Sequence, residues 1–287
     1  MKKIILLTTG LLCCLLLFGQ SRHEFSIYGG FGSSGLKYEI NEGDRSNVTG
    51  GTYGLGYTLF FNEHFGFATG IGWSTYKSKA EIYDTDCIIP DLDDGDDIYN
   101  IYELQTKINW YTEKQRLKVF NIPLLIQYQS KGKTKFYLQT GIKLAFPSSA
   151  GFESENYSLT NARYYPDLDN PPITEPTFEG LGNFEDRSSK GDLDFKTATI
   201  YNLEMGLKWS LGGSTALYTG IYLDSGLNNI HNESQQFFIK PNKEDPENFS
   251  NYSILEAQSE PGKSFVEKVK PFAIGLNFRL SFGTGKF

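Results

Sequence analysis

An acidic stretch offers the clearest metal-binding chemistry in this 287-residue chain. Residues 84–97 read DTDCIIPDLDDGDD and hold seven Asp. Ca²⁺ prefers about six to eight oxygen ligands, which carboxylates supply. The spacing departs from an EF-hand loop, because Gly95 follows Asp91 one place too early. We therefore expect a solvated acidic loop. The alternative is a divalent-cation site that bridges to lipopolysaccharide phosphates, with the ligands Asp91, Asp93, Asp94, Asp96 and Asp97.

Catalytic chemistry has one weak candidate, which is His231 in the stretch NNIHNES. Glu233 and Ser234 follow it closely, but a catalytic triad is defined by geometry in space and not by neighbouring positions. No Walker A, CxxC or HExxH pattern occurs. The sequence therefore predicts a protein that is not an enzyme and that needs no cofactor.

Four charged residues lie in the middle of otherwise apolar segments, namely Lys143, Glu204, Lys208 and Arg279. An unpaired charge away from water costs several kcal/mol, so such residues must find partners if they share an interior. We predict a polar network with Glu204 as its acceptor, braced by Gln127, Gln139 and Asn202. The alternative is that each charge contacts water in the interior independently.

The elements that must position these residues alternate apolar and polar side chains with a period of two, which is the mark of β-strands. Eight such segments occur, near residues 24–32, 51–61, 65–76, 118–129, 135–146, 199–211, 215–224 and 270–282. One face of each segment is large and apolar, and the other carries glycines and single polar residues. A soluble barrel would place the large apolar face inside and a mixed, charged face outside.

The lengths of the connections decide which face points outward. Short links follow the second, fourth and sixth segments, whereas long ones lie near residues 33–50, 77–117, 147–198 and 225–269. Short turns on one rim and long loops on the other are typical of an outer-membrane barrel. The sequence thus predicts an all-β, eight-stranded antiparallel up-and-down transmembrane barrel with short periplasmic turns and long extracellular loops. Eight strands leave an interior that side chains can fill.

Outward aromatic residues form two bands, as a bilayer favours at its two interfaces. The periplasmic band holds Phe25, Phe61, Phe65, Tyr128, Phe136, Trp209 and Phe282. The outer band holds Tyr53, Trp73, Phe120, Phe146, Tyr201 and Phe272. Phe282 also resembles the aromatic end that barrels present to the assembly machinery, although Phe287 is the final residue.

The N-terminus reads MKKIILLTTGLLCCLLLFGQ, two lysines followed by an apolar run. This pattern predicts a cleaved signal peptide, residues 1–19, and export of a single barrel domain, residues 20–287. An anchoring helix needs about 20 apolar residues. A lipoprotein is disfavoured because no small residue precedes Cys13 or Cys14. Cys87 then stands alone in the mature chain, so we expect no intramolecular disulfide.

The stretch FNIPLLIQYQSKGKTKFYLQTGIKLAF, residues 120–146, resembles the PorT-like outer-membrane β-barrel family. The stretch YLDSGLNNI, residues 222–230, is similar to that family's penultimate strand and last outer loop. The resemblance spans the eight strands and implies a barrel type. It also implies a link to protein secretion across the outer membrane (type IX), the role of the eponymous member.

Charge and composition limit the partners. The formal net charge of −7 argues against nucleic acid, which requires a basic face. Tyr, Asn and Ser are frequent in residues 153–176 and 240–253, which suits adaptable recognition or a hydrated, disordered loop. We expect a monomer that contacts outer-membrane lipid, lipopolysaccharide and, during insertion, the barrel-assembly machinery.

Three functions remain open at this point. The first is an integral outer-membrane barrel of a Gram-negative cell, with a plugged lumen and a structural or surface-binding role. The second is an accessory component of outer-membrane secretion or assembly. The third is a soluble periplasmic barrel that binds an apolar ligand.

Overall fold

The computed structural model describes residues 22–93, 101–168, 170–232, 236–242 and 244–284. The strands are, in chain order, β1 (Arg22–Lys37), β2 (Asp44–Phe60), β3 (Phe65–Asp93), β4 (Ile101–Gln129), β5 (Thr134–Tyr164), β6 (Gly182–Asp192), β7 (Ala198–Gly212), β8 (Thr215–Gly226), β9 (Gln236–Phe237), β10 (Ile239–Lys240), β11 (Ser250–Asn251), β12 (Ala257–Glu260), β13 (Lys263–Ser264) and β14 (Lys270–Thr284). Three short 3₁₀ helices cover Pro166–Leu168, Thr177–Glu179 and Pro246–Asn248. No helix in the described part of the chain is long and apolar enough to cross a membrane.

Eight antiparallel strands close into a ring in the order β1, β2, β3, β4, β5, β7, β8 and β14. The last strand pairs with the first from His23 opposite Thr284 to Lys37 opposite Lys270. All eight predicted segments lie within these strands to one residue, so the predicted fold class is confirmed. The predicted signal peptide and Phe287 lie outside the described residues.

Tight turns join the strands on the periplasmic rim. Residues 61–64, 130–133 and 213–214 connect β2 to β3, β4 to β5 and β7 to β8. Gly213 has φ 58° and Gly132 has φ 119°, conformations that glycine adopts without strain. The predicted short links therefore lie on one rim, as expected from their sequence.

The outward face of the ring is apolar along its whole height. Phe25 is 56% exposed, Tyr53 62% and Ile126 60%. Aromatic residues meet in register across the outer rim, where Tyr53 lies opposite Trp73, Trp73 opposite Phe120 and Phe120 opposite Phe146. Large apolar side chains that point away from the interior rule out the soluble periplasmic barrel and require lipid around the ring.

The long outer connections differ from the expected hydrated loops. β3 and β4 continue as one hairpin far beyond the outer aromatic ring, and the upper part of β5 pairs with β4 and with β6. The described residues of the segment 227–269 pack onto this extension, and the short strands β9 to β13 belong to them. We call these parts together, residues 77–117, 147–198 and 227–269, the outer cap. The alternative of a hydrated, disordered loop does not hold for residues 153–164, because they form the upper part of β5.

Among the described residues, the largest hydrophobic core is centred on the outer cap and reaches down to Val119, Ala145 and Tyr222 at the top of the lumen. Buried side chains from all three parts of the cap share it, among them Ile82, Tyr111, Leu159, Phe238 and Ile254. Tyr111 packs edge-on against Phe238 with 5.2 Å between ring centroids. The extended strands thus supply one apolar face, and residues 227–269 cover it, which is why the outer segments are ordered without lipid around them.

Candidate functional site

The lumen carries three levels of paired charges, of which the lowest lies near the periplasmic rim. Glu24 on β1 is buried and accepts hydrogen bonds from Lys208 Nζ at 2.6 Å and from the Tyr218 hydroxyl at 2.6 Å. Arg22 Nη2 lies 3.2 Å from the same carboxylate. Lys208 Nζ also donates to Gln129 Oε1 at 3.1 Å. Both charges are thus satisfied without bulk water.

The middle level is centred on Arg279 of β14. Its Nη2 lies 3.4 Å from Glu204 Oε1, and its Nη1 donates to Gln127 Oε1 and Gln139 Oε1 at 3.3 Å each. The guanidinium lies over the Tyr218 ring, 4.2 Å from its centroid, a cation–π contact. Glu204 also accepts a hydrogen bond of 2.8 Å from the Tyr137 hydroxyl.

The upper level joins β5, β7 and β8. Lys143 Nζ donates to both carboxylate oxygens of Asp224, at 2.9 and 3.0 Å. Asn202 Nδ2 donates to Asp224 Oδ1 at 2.7 Å. Asp224 is 1% exposed, so its carboxylate is buried just below the cap.

The structure therefore distributes the predicted cations over three carboxylates instead of onto Glu204 alone. Lys143 pairs with Asp224, Lys208 with Glu24, and Arg279 with Glu204. Glu24 and Asp224 are the residues that the sequence reasoning missed. Glu24 occupies an even-numbered position, as the other inward residues of β1 do, and Asp224 does the same on β8. The alternation of each strand therefore already indicated that both carboxylates point into the lumen.

Tyrosines fill the space that the inward glycines leave. A side chain at Gly72 would lie 2.2 Å from the Tyr28 hydroxyl, and one at Gly54 would lie 2.5 Å from it. Tyr28 of β1 therefore lies across the inner face of its two neighbouring strands, β2 and β3. A cavity of ≈ 50 Å³ remains beside Tyr28, Glu204, Asn277 and Arg279. This volume accommodates a few water molecules and no larger solute.

The outer cap is anchored at Glu113 of β4, which is 0% exposed. Its carboxylate accepts hydrogen bonds from Ser253 Oγ at 2.5 Å, Tyr111 Oη at 2.7 Å, Gln115 Nε2 at 2.8 Å and the Ile254 amide at 3.2 Å. Burial raises the pKa of this carboxyl, and the four hydrogen bonds oppose that rise only in part. Glu113 thereby ties residues 253–254 to the extended sheet.

The structure describes only some of the other candidate residues from the sequence. Asp91 and Asp93 are exposed at the end of β3, while Asp94, Asp96 and Asp97 lie outside the described residues. Among the described residues, no group of three or more His, Cys, Asp or Glu side chains is arranged to hold a metal ion. His231 is buried and bridges Phe195 through its backbone, and Glu233 and Ser234 lie outside the described residues.

The stretch YLDSGLNNI acts as a structural clamp at the mouth of the barrel. Asn228 Oδ1 accepts from the Thr199 amide at 2.7 Å, and Asn228 Nδ2 donates to the Thr197 carbonyl at 2.9 Å. Asn229 Oδ1 accepts from the Val269 amide at 2.9 Å. The two asparagines therefore fix where β7, β8 and β14 leave the membrane and enter the cap.

A closed ring with an apolar exterior, short turns on one rim and an elaborate opposite rim defines an outer-membrane β-barrel. A family model described as "Outer membrane protein beta-barrel domain" matches residues 18–232. The chain belongs to this family and localises to the outer membrane. No curated protein matches it in sequence.

Solved structures with a similar fold are small outer-membrane proteins. Neisserial surface protein A is 8% identical, with 90% of this chain and 95% of that chain covered and a TM-score of 0.33. OprG from Pseudomonas aeruginosa is 13% identical, with 92% and 98% covered and a TM-score of 0.35. Ail of Yersinia pestis is 11% identical, with 90% and 98% covered and a TM-score of 0.29. Family membership rests on the sequence match and not on these superpositions.

Proposed function

We propose that the protein is a monomeric outer-membrane barrel with a closed lumen that holds a rigid recognition cap at the cell surface. The observation that carries this proposal is the buried core of the outer cap, formed by extended strands and residues 227–269. A barrel that only spans the membrane needs no such core. A rigid platform lowers the entropy cost of binding, because its surface is already ordered.

Exposed apolar side chains on the cap support the surface-binding role. Tyr83 and Trp110 lie opposite each other on β3 and β4, and both are more than one third exposed. Phe178 is 68% exposed and Ile173 43%. These positions lie above the outer aromatic ring, where lipid does not account for exposed apolar area, so they suit contact with a partner.

The three levels of ion pairs support the closed lumen. We expect the full chain in a planar lipid bilayer to show no steady conductance, because the charged side chains neutralise one another across the interior and leave a cavity of ≈ 50 Å³. A porin reconstituted in parallel serves as the positive control. A reproducible open-state conductance in the wild-type protein would contradict the closed lumen.

The recognition role is tested with the full chain in lipid nanodiscs, applied to glycan arrays and to whole cells. We expect retention that falls at least tenfold in the variant Ile173→Ser/Phe178→Ser, because a buried aromatic anchor typically carries about 2 kcal/mol or more of a binding interface. The matched control Leu211→Ser/Phe61→Ser alters the opposite rim. Equal retention of the two variants, or none by the wild type, would contradict the proposal.

A second function, in secretion across the outer membrane, follows from the resemblance to the PorT-like family in residues 120–146. In the structure, Asn228 and Asn229 of the stretch 222–230 clamp the mouth of the barrel, so the resemblance in that stretch bears on the fold. Deletion of the gene followed by an assay of secreted cargo separates the two: lost secretion with no cap binding would favour the accessory role.

A further inference from the structure

Basic side chains continue the outward face of β3 and β4 directly above the outer aromatic ring. Three successive rungs of the ladder pair Thr75 with Lys118, Lys77 with Arg116 and Lys79 with Lys114. In an antiparallel pair, such residues share one face of the sheet. Lys77, Arg116 and Lys118 form what we call the basic patch.

The basic patch is available to an external anion. Lys79 pairs with Glu81, and Lys114 lies 3.6 Å from Glu155, so both of these lysines have carboxylate partners. Among the described residues, no carboxylate forms an ion pair with Lys77, Arg116 or Lys118. Arg116 and Lys118 are exposed, and Lys77 is half-buried.

The height of the basic patch matches the headgroup level of the outer leaflet. Trp73 and Phe120 lie opposite each other with ring centroids 5.5 Å apart, and aromatic rings of this kind mark the membrane interface. Lys118 is two residues above Phe120, a rise of about 7 Å along a strand. Its ammonium group therefore lies where lipid phosphates are found, and the apolar band below is open to acyl chains.

A groove of ≈ 380 Å³ accompanies the basic patch on the outer wall. Lys77 and Arg116 line it together with Val48, Ser149 and Lys114. Glu153 borders it beside Lys114, and Asp192 lies level with Arg116 but two strands away. Lys118 lies one rung nearer the membrane than Lys77 and Arg116, which line this groove. The rungs of Lys77 and Lys118 carry no acidic side chain on β3 or β4, so the least acidic part of the basic patch is the part nearest the membrane.

We propose that the basic patch binds the phosphate groups of a phosphorylated glycolipid of the outer leaflet. Arg116 provides a planar guanidinium that can contact two phosphate oxygens at once, while Lys77 and Lys118 contribute point charges on either side. The acyl chains of the same molecule pack against Trp73 and Phe120. The positive charge of the basic patch and the apolar area below it together favour a lipid over a free anion.

A second basic group, on β1 and β14, does not match this pattern. Lys37 lies opposite Lys270, and with Lys268 it lines a groove of ≈ 490 Å³. Glu39 and Glu267 line the same groove and reduce its positive charge. The β3–β4 face is therefore the site to which we assign the glycolipid.

The test compares two double variants of the full chain in detergent micelles, each of which loses two positive charges. Arg116→Gln/Lys118→Gln removes two of the three charges of the basic patch, and Lys131→Gln/Lys133→Gln alters the periplasmic turn between β4 and β5. Native mass spectrometry follows the binding of lipid A, of dephosphorylated lipid A and of inorganic phosphate. Unchanged heat-modifiable migration on gels shows that each variant is folded.

We expect the wild type to retain phosphorylated lipid A and to lose most of the binding when the lipid is dephosphorylated. The patch variant should bind about 30-fold more weakly, because each Lys or Arg near an anionic surface contributes about a fivefold change in affinity. The turn variant should bind like the wild type. Equal affinity in the patch variant, retention of dephosphorylated lipid A, or displacement by inorganic phosphate would each overturn the assignment.

Discussion

Replacing Arg279 by Met should lower the free energy of unfolding by about 3–5 kcal/mol, because it leaves a buried carboxylate without its cation. Arg279 is the cation that contacts Glu204 at 3.4 Å, and it also satisfies Gln127 and Gln139 in the middle of the lumen. After the change, Glu204 keeps only the Tyr137 hydroxyl of these contacts. Urea titration of the barrel in lipid vesicles, followed by tryptophan fluorescence, measures the effect.

A double-mutant cycle separates the ion pair from simple loss of packing. The variant Arg279→Met/Glu204→Gln removes both charges, so it should recover a large part of the stability lost in Arg279→Met alone. Glu204→Gln by itself leaves the guanidinium unpaired and should also destabilise the barrel. An unfolding midpoint that does not move in either single variant would show that water in the lumen solvates the two charges independently.

Replacing Glu113 by Ala should detach residues 253–254 from the sheet and open the outer cap while the membrane ring stays closed. Four donors lose their acceptor, and each unsatisfied buried group costs about 1–3 kcal/mol. Cys87 reports the opening: its side chain is 2% exposed, and β12, which follows residues 253–254 in the chain, packs against β3. In a chain with Cys13 and Cys14 replaced by Ser, alkylation of Cys87 should accelerate by a factor on the order of 100 or more.

The same carboxyl should make cap stability depend on pH. Burial raises the pKa of Glu113 above its ordinary value of 4.5, so the folded cap binds a proton more tightly than the open cap. The contribution to stability is therefore complete below the ordinary pKa and is lost as the pH rises through the raised one. The urea midpoint for Cys87 exposure should fall over that range in the wild type. A pH dependence that persists unchanged in Glu113→Gln would contradict this account.

The eight strands of the membrane ring could be predicted from the sequence, because contact with lipid constrains their side chains in a simple way. The outward positions of a spanning strand are predominantly apolar, so residues such as Ile274, Leu276 and Phe278 reveal both the strand and its lipid-facing side. Turn length then fixed which rim is periplasmic. The inward positions of Lys143, Lys208 and Arg279 followed from the same alternation.

The outer cap could not be predicted in this way, since water outside the membrane imposes no such alternation. β3 continues through residues 77–93 and β4 through residues 101–117, but their outward side chains there include lysines and a glutamate as well as Tyr83 and Trp110. Burial of the other face depends on residues 227–269, which are distant in sequence. Nothing in the sequence around Glu113 distinguishes it from a surface glutamate. Its burial follows from the contacts with Ser253 and Ile254, which only the fold brings close to it.

The partners of the lumenal cations were also hard to assign from sequence. Alternation places a residue on the inner face but does not give its height, which depends on the stagger of each strand. Glu24 reaches Lys208 from the opposite wall, and the two are separated by most of the chain. Only the register of the closed ring brings them to one level.

The seam between β1 and β14 has a consequence for how the molecule is made. Its ladder pairs His23 with Thr284, so the earliest described strand gains its second neighbour only when the last one has been made. Until then both edges carry unpaired amide and carbonyl groups, which hydrocarbon does not solvate. The nascent chain therefore cannot enter the bilayer strand by strand. Insertion therefore has to be a late and cooperative step. A catalyst at the membrane has to act as a template that covers the two open edges.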